Sequence, residues 1–390
     1  MITDKDKRLQ RNNKILGWTI GTGMVLFAIH SPTQPFLALL FLPSFGMALI
    51  ISGTLFALML NWHNINWGPK VGYIPMALLA LSIAIAGIVN ATEPSKGLAM
   101  VLFGGALFGL YLVARTIGRA IFAPFLIGVV IEAVSCIVYG VWISPGQKLG
   151  GLVSTTNYAM AVTFMVFGTV VSLHFRRWTL AIIVLALTGL FFTGAPEAVF
   201  VVAVLGAMML VRRDWSRKLW IGVGVVAIIG ILWLMLGGGS QLYSYAFWVA
   251  KSSAGIPTYQ YSGEPGGPAS GWVLLGSPIV GRWELIVMTL DNLAPFGHGY
   301  TLGEFTTWTV HNVPMVIVDQ IGISGAVAWT FATLYFLIRT KWKYAFVAVL
   351  ALSAFDHAVW TQAAPWWWAL CGVASTSNIE NDLIFRSADE

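Results

Sequence analysis

The chain is 390 residues long, 57% hydrophobic and only 10% charged, where a soluble domain carries about a quarter charged residues. That excludes an ordinary soluble enzyme, because long apolar runs broken by short charged clusters belong to a chain dissolved in lipid for most of its length. The net charge of +6 raises nucleic acid as a partner until the cations are placed, and the two cysteines, Cys136 and Cys371, lie inside apolar runs with neither a disulfide framework nor a metal-cluster spacing.

Runs able to cross about 30 Å of hydrocarbon at about 1.5 Å per residue fall at 15–30, 36–60, 71–90, 98–114, 120–142, 157–175, 178–193, 198–211, 219–236, 312–338, 344–357 and 360–375. They predict an all-α polytopic membrane protein of about twelve transmembrane helices, a single transmembrane domain over 1–390. The first run follows a basic stretch (Lys5, Lys7, Arg8, Arg11, Lys14) and resembles a signal peptide. No small-x-small cleavage site follows Phe27 to His30, so an anchor that stays is expected. Spans seven and eight are short and joined by Thr193-Gly194-Ala195-Pro196-Glu197. Two helices this short cannot both reach the surface, which predicts a turn below it, facing protein or a wet cavity.

The long non-membrane segment is 237–311. It opens on Gly237-Gly238-Gly239-Ser240, is loose around Ser262 to Ser270, and becomes orderly from Arg282. A loop this long between membrane helices is more often functional than filler. Residues 282–294 predict a short interfacial helix with Glu284 and Asp291 on one polar face and Ile286, Val287, Leu290 and Leu293 toward the membrane.

With a cytoplasmic N-terminus, only Lys96, Lys148, Lys251 and Arg282 of the 22 cations fall on the outer side, which leaves 18 inside. A split so lopsided, alternating at nearly every turn, puts both termini in the cytoplasm and 237–311 outside. The outer side also holds six acids (Glu93, Glu197, Glu264, Glu284, Asp291 and Glu304), so its net charge is −2. The basic excess is therefore topological, and nucleic acid drops out as a partner.

Ionisable groups at membrane depth are expensive to keep there. Glu132 lies mid-span in the fifth run and Asp319 in the outer part of the tenth. Two readings stand for them, a proton relay or a protonated or hydrogen-bonded side chain holding helices together, and neither has a second acid, Lys or His at similar depth nearby in sequence. Asp356 and His357 read as a helix-end pair facing headgroups; His30, His63 and His174 read as interfacial. His298 and His311, with Glu304, suggest a metal site, but their spacing is no known ligand frame. His311 directly precedes Asn312 at the mouth of the tenth span, where it reads either as a neutral general base or as a helix-capping histidine. Arg282, the one outer arginine, reads as a lipid-phosphate ligand or a headgroup anchor. The tryptophans and tyrosines on the outer side (Trp248, Tyr259, Tyr261, Trp272, Trp283, Trp308, Trp360, Trp366, Trp367 and Trp368) read as a membrane-interface belt or a sugar-stacking rim.

In order, Gly281-Arg282-Trp283, Asn292 to Gly299, His311-Asn312 and Asp319-Gln320-Ile321-Gly322-Ile323-Ser324-Gly325 resemble the O-antigen ligase and polymerase superfamily of bacterial membrane glycosyltransferases. They look like its Gly-Arg helix, its proline- and glycine-containing turn, its His-Asn pair and the glycine-spaced helix that follows. The loop from Gly151 to Asn157 is similar to the family's glycine-rich loop ending in Asn, and the similarity covers roughly 150–375. The resemblance implies a metal-independent, inverting transfer, without cofactor, at the outer face of the bacterial inner membrane. A polyprenyl-diphosphate-linked glycan is the donor; a glycan, lipid or protein hydroxyl is the acceptor. Carried over, His311 takes the base role and Arg282 a diphosphate role.

One departure stands out. Where the family's turn between the corresponding spans usually carries Ser-Arg, this chain has Ala195-Pro196-Glu197, an acid in place of a phosphate-binding cation. Lys96, Lys148 and Lys251 are the other outer cations able to offset it, and Lys148, just before the Gly151 loop, is best placed. The expected substrate-binding set is Arg282, Lys148, Asn157, Asn312 and Lys251, with His311 catalytic and no metal. Two functions remain open: a ligase or polymerase, or a non-enzyme of the same fold that binds glycolipid or assists polysaccharide assembly. A secondary transporter fits worse, since neither paired halves nor matching interrupted helices are visible.

Overall fold

The computed structural model describes residues 4–29, 42–65, 70–91, 93–143, 151–152, 158–175, 179–193, 201–202, 204–206, 224, 228, 286–287, 289–291, 293–299, 312–354, 359–361 and 363–376. Among them every regular element is helical: α1 (Asp4–Ala28), α2 (Leu42–Asn61), α3 (Lys70–Asn90), α4 (Pro94–Ile117), α5 (Ala123–Val138), α6 (Tyr158–Ser172), α7 (Thr179–Phe192), α8 (Val313–Arg339), α9 (Lys343–Ser353) and α10 (Ala364–Ala374), with short 3₁₀ or π turns beside some of them. These ten coincide with ten of the predicted runs. Most of the runs at 198–211 and 219–236 and most of 237–311 lie outside the described residues.

Among the described residues, four helical runs are long and apolar enough to cross a membrane: Ser44–Asn61, Gly72–Asn90, Pro94–Trp142 and Val313–Arg339. The third is interrupted at Gly118, whose φ of 71° and ψ of −153° end α4, so the sequence pattern of two runs there is the better description. Local chemistry accounts for several starts. Pro94, Pro124, Pro314 and Pro365 each stand in the first turn of a helix, where the missing N–H costs nothing.

Small residues let the helices approach closely, as apolar solvent gives them no other reason to associate. At the crossing of α1 and α2, a β-carbon on Gly23 would stand 2.8 Å from the Gly46 carbonyl. Around that pair α3 packs on α4 and α8, α10 on α4, and α5 on α6 and α7. Large rings fill the middle: Trp366 stacks edge-on against Phe125 and Phe164, both at 4.6 Å, and its indole N–H donates to the Met24 carbonyl at 3.1 Å.

That packing corrects the reading of the C-terminal tryptophans. Trp360, Trp366, Trp367 and Trp368 are all buried, so they are neither belt anchors nor a sugar-stacking rim. Their rings pack against other rings of the interior, Trp366 on Phe125 and Phe164 and Trp367 on Trp329 at 5.9 Å, where burial of aromatic area outweighs an interfacial position. The apolar surface lies elsewhere. On α8, Ile323, Val327, Phe331, Leu334 and Ile338 are exposed at helical spacing, and on α3 so are Ile74, Leu78, Leu81 and Ile88. Such stripes are what lipid-facing helices present, and the chain is a membrane protein with transmembrane helices.

Candidate functional site

The site is built where α8 begins and then breaks. Asn312 starts the helix by accepting a hydrogen bond from the Met315 N–H at 3.2 Å through its side-chain oxygen, which satisfies one of the orphan donors of the first turn. Three turns on, Gly322 has φ 79° and ψ 178°, a region open in practice only to glycine.

Into this break fits the turn Pro295-Phe296-Gly297-His298-Gly299. The His298 N–H donates to the Asp319 carbonyl at 2.6 Å and the Gly299 N–H to the Gln320 carbonyl at 3.1 Å. A β-carbon on Gly322 would run into the Pro295 carbonyl, and one on Gly297, itself at φ 68°, into Gln320. From the opposite side the Asn90 side chain at the end of α3 donates to the Gly297 carbonyl at 3.2 Å, and the indole of Trp360 donates to the Gln320 side chain at 2.9 Å. Two stretches quoted separately for the resemblance are thus one structural unit, an irregular turn seated on a broken helix.

The same contact pairs two titratable side chains. His298 Nδ1 and Asp319 Oδ1 are 3.0 Å apart, with side chains 53% and 47% exposed. Asp319 has no acid, Lys or His nearby in sequence at its depth; its partner is distant in sequence and adjacent in space. In the grouping of His298 with Glu304 and His311, the latter two lie outside the described residues; what is described of His298 is its Nδ1 bond to Asp319.

A second anchorage holds the start of the glycine loop. Glu132 on α5 is buried; its Oε1 accepts from the Gly151 N–H at 3.0 Å and its Oε2 from the Ser135 hydroxyl at 3.3 Å. Ser135 in turn accepts from the Leu152 N–H at 3.0 Å, and a β-carbon on Gly151 would fall on the Ser135 hydroxyl. Of the two readings of Glu132, the hydrogen-bonded one matches, although the partner is a loop rather than a second helix.

Asn312 is therefore found capping α8. His311, Arg282, Lys148, Asn157 and Lys251 lie outside the described residues, as do Glu197, Glu284, His30, Asp356 and His357. In the expected interfacial helix, residues 286–287 and 289–291 are helical. Val287, Leu290 and Leu293 are exposed as anticipated, whereas Ile286 packs against the buried core, which corrects its assignment to the membrane face. His174, expected to be interfacial, stacks on Trp342 at 3.8 Å. The residues missed as site candidates are Asn90 and Gly322, and for His298 what was missed is its partner Asp319. The signal for Gly322 was a glycine inside an apolar helix; nothing local marks Asn90. No protein-family model matches the chain and no curated protein sequence matches it, so the likeness to the O-antigen ligase and polymerase superfamily rests on the residues themselves.

Proposed function

We propose that the protein transfers a glycan from a polyprenyl-diphosphate carrier to an acceptor hydroxyl at the outer face of the bacterial inner membrane. The reaction is an inverting, metal-independent one of the ligase or polymerase type. The observation that carries this reading is the docking of the Pro295 to Gly299 turn on the Gly322 break. It joins two of the four quoted stretches on α8, whose Asn312 cap His311 directly precedes in sequence. In this reading His311 takes the acceptor proton, while Arg282, Lys148 and Lys251 neutralise the departing diphosphate and Asn157 and Asn312 contact substrate. The termini are cytoplasmic and 237–311 faces outward, as the cation split requires.

The test is transfer by purified protein in nanodiscs, with and without His311→Ala. General-base assistance contributes about 10²–10⁴ in rate, so the variant should insert normally and lose detectable transfer. Transfer at the parent rate would put the base elsewhere; loss on chelation, restored by a divalent metal, would refute the metal-independent mechanism. A second reading, a glycolipid-binding protein without activity, is favoured by Ala195-Pro196-Glu197, where an acid stands in place of the family's arginine. Donor binding without transfer under every acceptor offered would select it.

A further inference from the structure

We propose that His298, Asp319 and Phe296 form a hydroxyl-binding subsite for one pyranose ring of the lipid-linked glycan, the ring nearest the diphosphate. The proposal rests on the reading of the protein as one that binds such a glycolipid, and adds to it a site for the sugar.

Depth comes first. Counting about 20 residues of hydrocarbon-spanning helix back from Arg339 along α8 reaches Asp319, beyond the exposed apolar stripe that runs from Ile323 to Ile338. The pair therefore stands at the edge of the hydrocarbon, toward the Asn312 end of the helix. A carboxylate with 47% of its side-chain surface exposed cannot present that surface to hydrocarbon. It faces water or a polar ligand, at the level where a carrier lipid's diphosphate meets its first sugar.

Chemistry comes next. The hydrogen bond between His298 Nδ1 and Asp319 Oδ1 leaves the second carboxylate oxygen and Nε2 pointing away from their shared bond. One is an acceptor and the other accepts or donates by tautomer. Neighbouring hydroxyls on a pyranose each donate and accept, so they match that pair of groups. A diphosphate does not, because the carboxylate repels it. Phe296, in the same turn, is 47% exposed and offers a ring face for the C–H side of a sugar, the combination of one apolar wall and a few fixed polar groups that small-molecule sites use.

Rigidity makes the site selective. His298 and Asp319 are held by a backbone hydrogen bond between the same two residues at 2.6 Å, by Gly299 on Gln320, and by Asn90 on Gly297. The side chains are thus ordered before a ligand arrives, which removes an entropic cost of binding.

The experiment compares two probes in nanodiscs: a bare polyprenyl diphosphate, and polyprenyl diphosphates carrying one glucose, galactose or N-acetylglucosamine. The parent is expected to bind at least one sugar-bearing probe about tenfold more tightly than the bare carrier, the worth of one charge-assisted hydrogen bond. His298→Ala and Asp319→Ala leave the backbone hydrogen bonds possible. Each should abolish that sugar increment without weakening bare-carrier affinity, and should lower stability by no more than the loss of one exposed hydrogen bond, a split that a merely structural role would not produce. Phe296→Ala should reduce the increment in part. If the parent binds the carrier with no increment for any sugar, or if the increment survives both alanine variants, the subsite is refuted and the functional reading stands. If the parent binds neither kind of probe, the functional reading falls and the subsite falls with it. Should His298→Ala prove unstable, His298→Gln, which keeps a polar side chain in the turn, is to be read in the same way.

Discussion

Gly322→Ala isolates the turn-on-helix unit better than any change to its side chains. The substitution has two costs. Residue 322 is held at φ 79° and ψ 178°, and a non-glycine residue in such a sparsely populated region loses about 1–3 kcal/mol. Its new methyl would also collide with the Pro295 carbonyl and stand 3.1 Å from the Gly297 nitrogen, an overpacking that costs about another 1–3 kcal/mol. Relief is available by releasing the turn, which breaks the bonds from His298 to Asp319, Gly299 to Gln320 and Asn90 to Gly297, each worth about 0.5–1.5 kcal/mol net. The two sums are of the same size. The expected outcome is an undocked turn on an otherwise intact bundle, rather than global unfolding. Hydrogen–deuterium exchange read by mass spectrometry should show residues 294–300 exchanging at least about tenfold faster, with 364–374 unchanged. Gly325→Ala is the control: the side chain it would meet is the flexible end of Ile321, so its effect should be smaller. Unchanged exchange at 294–300 in Gly322→Ala would refute the reasoning, because the collision it relies on would not exist.

Trp366→Ala should lower stability by about 3–5 kcal/mol, as truncation of a buried aromatic does, read as a fall in melting temperature in detergent; a membrane-belt residue would lose far less, so a change below about 1 kcal/mol would return Trp366 to the surface. Single cysteines at Ser262 and Ser377, in a background without Cys136 and Cys371, should differ in intact spheroplasts: an impermeant thiol reagent should label Ser262→Cys and spare Ser377→Cys, and the reverse pattern would overturn the proposed topology. In polyprenyl-diphosphate binding, Lys148→Ala should weaken affinity and Glu197→Arg should tighten it or leave it unweakened. Equal affinity for the parent, Arg282→Ala, Lys148→Ala and Glu197→Arg would remove the diphosphate site as drawn.

The helices were legible because their signal is local and repeated: an apolar run about 20 residues long has few other uses, and the runs at 71–90 and 312–338 differ from α3 and α8 by no more than one residue at each end. The break at Gly322 was not legible as a break. A lone glycine in an apolar helix has the same sequence whether it lets a helix neighbour approach or takes a positive φ, and only the carbonyl of Pro295 above it decides. The His298 and Asp319 pair was hidden for a related reason, since the two are 21 residues apart and no periodicity joins a turn to a helix. The tryptophans near 366 were misread because amphipathic rings near a span end are usually interfacial. What overrides that tendency for Trp366 is its place between α10 and Phe125 of α5, Phe164 of α6 and Met24 of α1, a property of several helices and not of one.

Both anchorages in the molecule answer one constraint, that irregular backbone near the hydrocarbon must have its polar groups satisfied by protein. At α8 backbone carbonyls exposed by a break receive the N–H groups of a turn. At α5 no break is present, so a buried carboxylate serves instead, and this gives Glu132 a role that can be separated from proton transfer. Glu132→Ala strands the buried Gly151 N–H, at a cost of about 1–3 kcal/mol, and removes one of two acceptors of the Ser135 hydroxyl, leaving the Glu132 backbone carbonyl at 2.9 Å, while Ser135 itself holds Leu152. Glu132→Gln keeps a carbonyl oxygen that accepts from Gly151, so anchorage predicts a mild effect for glutamine and a large one for alanine. A proton relay predicts the opposite pattern, both variants equally damaged, because glutamine carries no titrating proton. Exchange at residues 151–152 together with donor binding makes the measurement. Glu132→Ala should accelerate exchange and weaken binding, and adding Ser135→Ala to it should cost less than the two single changes combined, since both residues hold one loop. If glutamine and alanine impair binding equally while exchange at 151–152 stays at the parent rate, Glu132 is not an anchor for the loop.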